Sequence, residues 1–187
     1  MQNNIQIDQI CNQLNKESER GSAIVSAILL EGALEYNLKA FMADSIGRKD
    51  ELFDSAFAPL GTLSAKITMA LRLGLISPVI FKTFHLIRKI RNEFAHVADS
   101  ISFGTDSIHD KIQEIFEMHQ SLLDTAWDIA QKYTDLTEKD SNINNGLENL
   151  VHNIGWRGTY EIIVSVFIAG LNDKIRTIPK IKPVYRD

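Results

Sequence analysis

Residues 77–96 read SPVIFKTFHLIRKIRNEFAH, and this stretch decides the fold. Ser77 before Pro78 is a helix start: the serine hydroxyl can cap the first turn, and proline suits the first helical position, where no N–H partner is needed. Beyond it, Ile80, Phe84, Ile87 and Phe94 return at intervals of four, three and seven, the period of one helix face. Arg91 projects from the same line, and Arg88 lies to one side of it. The spacing predicts a helix from Pro78 to about His96.

Working outward, the same period recurs. Toward the N-terminus, Thr62–Leu75 carries Leu63, Ile67, Ala70 and Leu71 on one side, and Asp50–Leu60 is a connector. Ser22 reads as the N-cap of a long helix reaching about Asp44, and residues 4–17, with Ile5, Ile10 and Leu14, make a first helix. Toward the C-terminus, 99–105 is a turn. Ser107 opens an amphipathic helix to about Tyr133, with Ile112, Ile115, Phe116, Leu123, Ala126, Trp127 and Ala130 on its stripe. Residues 135–146 are polar and rich in Asn, a surface loop. A short helix at Leu147–Ile154 precedes Gly155-Trp156-Arg157-Gly158. Thr159–Ile175 is apolar nearly all round and belongs in the centre. Residues 176–187, with Pro179 and Pro183, form an extended basic tail. No strand alternation, internal repeat or linker interrupts this pattern. The expectation is an all-α, single-domain helical bundle over 1–187, of about six to seven helices.

Composition agrees. The chain has 187 residues, 44% hydrophobic, with 10 Gly and 4 Pro. At that length a chain buries roughly 70% of its unfolded surface, enough for a core without disulfides or metals. The single cysteine, Cys11, excludes a disulfide framework and a cysteine-rich zinc site. The N-terminus lacks the basic and apolar regions of a signal peptide. The longest apolar run, Ile162–Leu171, is half the roughly 20 residues a membrane span needs. The expected location is the cytoplasm. The net charge of −4 hides three blocks. Residues 1–100 are neutral, 101–173 carry −8, and 174–187 carry +4. The neutral block is expected to pair its charges within the bundle. That leaves Lys174, Arg176, Lys180, Lys182 and Arg186 as the segment that attracts phosphate.

Two strings carry candidate chemistry. In the second helix Ile24, Ile28, Leu38 and Met42 share a stripe with Glu31 and Glu35 in its middle. Carboxylates one turn apart on an apolar face need a cation, because an unpaired buried charge is prohibitive. Arg91 is the expected partner, with Arg88 at the edge, since the guanidinium fork suits carboxylates. Such a polar seam is a structural staple or the wall of a small-ligand cleft. In the second string, Arg91-Asn92-Glu93-Phe94-Ala95-His96, the arginine and histidine lie about 140° apart on an ideal helix and converge only if it ends or kinks near His96. If they converge, histidine as acid–base and arginine on a phosphorane-like charge could cleave RNA.

Three further histidines read as structural: His119 on an apolar stripe, His109 beside Asp110 at a helix start, and His85 too far from His96 to share a metal. Trp127 and Trp156 read as core, while Asp124, Asp128 and Asp135 face outward toward any basic partner. No HExxH, CxxC, Walker-type or GxGxxG string occurs, so no metal site and no cofactor are expected.

The ordered strings ESERGSAIV (17–25), LEGALE (30–35), APLGTLSAKI (58–67), LGLI (73–76) and IRKIRNEFAH (87–96) together resemble the mannitol operon repressor (MtlR) family of bacterial proteins. The resemblance covers about 17–97. It implies an all-helical fold and a role in transcriptional repression of sugar-alcohol uptake. Yet no helix-turn-helix with an exposed basic recognition helix is legible here. The expectation is therefore a regulator that works through a protein partner, without direct sequence-specific DNA binding and without enzymatic activity. A homodimer is expected from the broadly apolar helices. The RNxxxH string is also similar to that of the higher-eukaryote-and-prokaryote nucleotide-binding (HEPN) helical domains, some of which are ribonucleases. That likeness would make Arg91 and His96 a catalytic pair supported by Asn92.

Overall fold

The computed structural model describes residues 2–55, 57–96, 101–133 and 146–182. Among these residues are seven α-helices and no strand: α1 (Gln2–Asn15), α2 (Glu19–Phe41), α3 (Leu63–Arg72), α4 (Pro78–His96), α5 (Asp106–Met118), α6 (Leu122–Tyr133) and α7 (Leu147–Lys174). One 3-10 turn, Ile175–Thr177, follows α7. The architecture is all-α, as the periodicity predicts.

Capping side chains set several of the starts. Thr62 Oγ1 accepts from Ala65 N at 3.2 Å, and Ser77 Oγ accepts from Ile80 N at 3.3 Å ahead of Pro78. For α2 the cap is Ser18, whose Oγ accepts from Gly21 N at 3.0 Å, and not Ser22. Ser22 lies one turn inside the helix, where its buried hydroxyl donates to Glu161. The expected stripe on α2 is also corrected. Its buried face runs through Ala23, Ala27, Leu30, Ala33, Leu34 and Leu38, and Ile28 is 60% exposed. Glu31 and Glu35 consequently sit at the edge of the packed face.

Two long helices form the middle of the bundle. α7 packs against α1, α2, α5 and α6, and α2 packs in addition against α3 and α4. Burial along α7 runs nearly unbroken from Thr159 to Leu171, which places the longest apolar run in the core as expected. Leu147–Thr177 is long and apolar enough to cross a membrane, yet most of its apolar window is buried against the rest of the chain. The expected interruption at Gly155–Gly158 shrinks to one residue. Gly155 has φ 71°, a left-handed conformation open to glycine, and Trp156 to Gly158 continue the helix.

The helix expected over 107–133 is two helices. α5 stops at Met118, and His119 (φ −135°, ψ 60°) turns the chain into α6. His119 Nε2 and Thr83 Oγ1 of α4 are hydrogen-bonded at 2.7 Å, which holds the corner against the bundle. Beyond the 3-10 turn the chain is extended and returns along α2, where Ile181 N donates to Phe41 O at 2.7 Å. The surface loop expected at 135–146 lies outside the described residues except for Gly146, which precedes α7, and so does the end of the tail from 183 onward.

Candidate functional site

The seam on α2 exists, but its cation is different. Lys66 Nζ of α3 lies 2.8 Å from Glu31 Oε1 and 3.0 Å from Glu35 Oε2, while Lys39 Nζ lies 2.7 Å from Glu35 Oε1. The Lys66 side chain is only 5% exposed, so its charge depends on both carboxylates. Burial pushes the Glu35 carboxyl up, but hydrogen bonds from Lys39 and Lys66 outweigh it and hold it below its ordinary value. Lys39 also stands 4.8 Å from the centre of the Phe53 ring. Arg91 forms no ion pair with either glutamate among the described residues, and Arg88 Nε instead donates to His85 Nδ1 at 3.4 Å. Lys66 reaches the seam because it follows Leu63 by three residues and precedes Ala70 by four. It shares their buried face.

The string 91–96 therefore stands apart from the seam. His96 is the final residue of α4 and is exposed, with Asn92 one turn before it and half-buried. Arg91 is half-buried on another side of the helix. With α4 helical throughout 91–96, the arginine and histidine stay about 140° apart. Glu93 is held from α5: Lys111 Nζ lies 2.7 Å from Oε1 and Ser107 Oγ donates to Oε2 at 2.7 Å. Burial raises the Glu93 carboxyl, and these two partners more than reverse that. His85 meets the Phe81 ring edge-on at 4.5 Å. Burial, then Arg88 and Lys89, keep it below its ordinary value.

Two further histidines, His119 and His109, are occupied structurally. His119 meets the Phe167 ring at 5.1 Å, and burial lowers its pKa. His109 Nε2 pairs with Phe103 O at 2.8 Å and the ring stacks on Trp156 at 4.2 Å. Asp124 and Asp128 are exposed. Among the described residues no three His, Cys, Asp or Glu side chains gather into a metal-binding group.

A second polar cluster was not legible in the sequence. Arg157 Nε donates to Glu161 Oε1 at 2.8 Å, and its NH2 group donates to Leu14 O at 3.1 Å and Glu17 O at 2.7 Å. Ser22 Oγ donates to the same Glu161 oxygen at 2.7 Å, and Ser26 Oγ pairs with Tyr160 Oη at 2.8 Å. Cys11 Sγ donates to Ser165 Oγ at 3.2 Å, and burial pushes this thiol up to about 11. The cluster ties the α1–α2 turn to α7. Its signal was the Arg157/Glu161 pair at i, i+4 within an otherwise apolar run. A cavity of about 220 Å³ opens beside it, lined by Cys11, Asn12, Asn15 and Glu161 among others.

The basic tail is partly engaged by the protein itself. Lys180 Nζ lies 2.5 Å from Asp44 Oδ1, and Lys174 Nζ donates to Leu75 O at 2.5 Å. Lys182 and Arg176 are exposed, and Arg186 lies outside the described residues. The expectation that cations of the first hundred residues are all paired is overturned. On α4, Lys82, Arg88, Lys89 and Arg91 join no ion pair among the described residues.

Comparison with known proteins rests on shape. Neither a family model nor a curated protein matches the sequence. Among solved structures, the chain is similar to one in the X-ray structure of the MtlR–HPr complex from Escherichia coli, with a TM-score of 0.56 and 18% identity. The likeness covers 89% of this chain and 98% of that one, and it shows a shared fold over that span.

Proposed function

We propose that this chain is a cytoplasmic regulator of the mannitol-repressor type that acts by binding a protein partner such as HPr and does not itself read bases. The observation that carries the reading is the shared fold with a chain of the MtlR–HPr complex over 98% of that chain's length. Three further observations support it. No pair of short helices presents a recognition helix among the described residues, since α4 packs against α2, α3 and α5 over a full stripe. Arg91 and His96 lie on different sides of α4, which speaks against a ribonuclease built within one chain. Lys66 fills the Glu31/Glu35 seam, which favours a staple over a ligand cleft.

The test is a calorimetric titration of the purified chain with the HPr of its own cell. Saturable binding with a dissociation constant in the micromolar range is expected, about −8 kcal/mol. No heat and no co-elution at concentrations near 100 μM would reject the partner.

A further inference from the structure

On a helix turning about 100° per residue, Lys82, His85, Arg88, Lys89, Asn92 and His96 fall within an arc of about 120°. The arc faces away from the buried stripe of Thr83, Phe84, Leu86, Ile87, Ile90 and Phe94. Lys82, Lys89 and His96 are exposed; His85, Arg88 and Asn92 are half-buried. No acidic residue lies inside the arc. Glu93, at its margin, is held by Lys111 and Ser107. Lys39, Lys66, Lys111, Arg157 and Lys180 each face a carboxylate elsewhere in the fold, whereas Lys82, Arg88 and Lys89 face none among the described residues. In a chain of net charge −4, this is a concentrated and uncompensated positive face.

We propose that the outer face of α4 docks the phosphate backbone of a nucleic acid, in a contact that does not depend on sequence. Charge complementarity carries the choice of occupant. Protein interfaces are built on apolar cores depleted of lysine, and the large apolar side chain within this arc, Phe81, is half-buried against the core and the His85 ring, which leaves lysine, arginine, histidine and asparagine to make up the outer surface. Phosphate contact requires only cations and hydrogen-bond donors in a row, and Lys, Arg, His and Asn supply both. Lys82, Lys89 and His96 follow at intervals of seven residues, about 10.5 Å of helix rise. This proposal does not rest on the regulator reading, and binding of HPr neither supports nor weakens it.

The experiment is fluorescence anisotropy of the full chain with a labelled 20-nucleotide single-stranded RNA and, separately, a labelled 20-base-pair DNA duplex of arbitrary sequence. Saturable binding to at least one is expected at 50 mM salt. Three phosphate contacts predict an affinity loss of about 20-fold for the single strand, or about 40-fold for the duplex, between 50 and 200 mM salt. The variant K82E/R88E/K89E should lose at least about 10-fold in affinity with unchanged helical circular dichroism. Should that variant misfold, the neutral K82Q/K89Q tests the same point, because its salt dependence should fall by about two phosphates. The tail variant K180E/K182E should bind as the parent does. The proposal is overturned if neither nucleic acid binds, if the α4 variants bind unchanged, if only the tail variant loses binding, or if poly-glutamate is the only polyanion retained.

Discussion

Carboxylates at one turn's spacing demand a cation, and the seam between α2 and α3 supplies it from Lys66, with Lys39 at the outer oxygen. Lys66→Met would leave two half-buried carboxylates facing each other, with an expected loss of about 2 kcal/mol in urea unfolding. Arg91→Met should change stability by less than about 0.5 kcal/mol, since that side chain joins no ion pair among the described residues. Equal losses in the two variants would refute the assignment. The pH dependence follows from the same groups. Glu35 and Glu93 titrate below 4.5 in the folded protein, so their stabilisation is present above pH 4.5 and lost as pH falls through their folded values. His85 and His119 titrate below 6.5, so theirs is present above pH 6.5 and is lost first on acidification. Melting temperatures measured from pH 7.5 down to 3.5 should fall in two stages, and His119→Gln should flatten the upper one. A curve that stays level from pH 7 to 5 in the parent protein would contradict this.

At the scale of elements, apolar period told helix from strand nearly everywhere, because Leu, Ile and Phe at three- and four-residue intervals leave one solution per segment. Boundaries were harder where two residues of one type compete. Ser18 and Ser22 both suit a cap, and only the burial of Ser22 against Glu161 separates them. The α5–α6 corner was invisible for a different reason. His119, Gln120 and Ser121 include no Gly or Pro, and the corner is held by a hydrogen bond to Thr83, thirty-six residues away. The candidate site shows the same division. That Glu31 and Glu35 need a cation is local and legible, but which cation arrives depends on how α3 packs, as Lys66 shows. The kink in α7 was legible because glycine marks it. Gly155→Ala keeps open space around the new methyl but forces alanine into a left-handed conformation. An expected loss of about 1 to 2 kcal/mol should appear as a lower melting temperature, and an unchanged one would mean that the kink is not required.

Across the whole molecule, one side chain joins the two ends of the fold. Arg157 grips Glu161 on its own helix and three carbonyls, of Leu14, Asn15 and Glu17, at and just beyond the close of α1. Arg157→Met would strand the Glu161 carboxylate, 7% exposed, with Ser22 alone, and about 3 kcal/mol of stability should be lost. Arg157→Lys should recover part of that, because one ammonium cannot reach all the acceptors the fork does; full recovery would show that charge alone matters. The same wiring bears on how the protein comes into being. α7 lies in the middle of the bundle, yet the six helices packed around or beside it precede it in the chain. During synthesis Ser22, Ser26 and the apolar faces of α1 and α2 must wait, uncovered, until residues 147–171 emerge. At about 5–20 residues per second that interval lasts on the order of ten seconds. Folding is therefore a late event on the ribosome, and a nascent chain stopped before Thr159 offers its sticky surfaces to chaperones or to other chains.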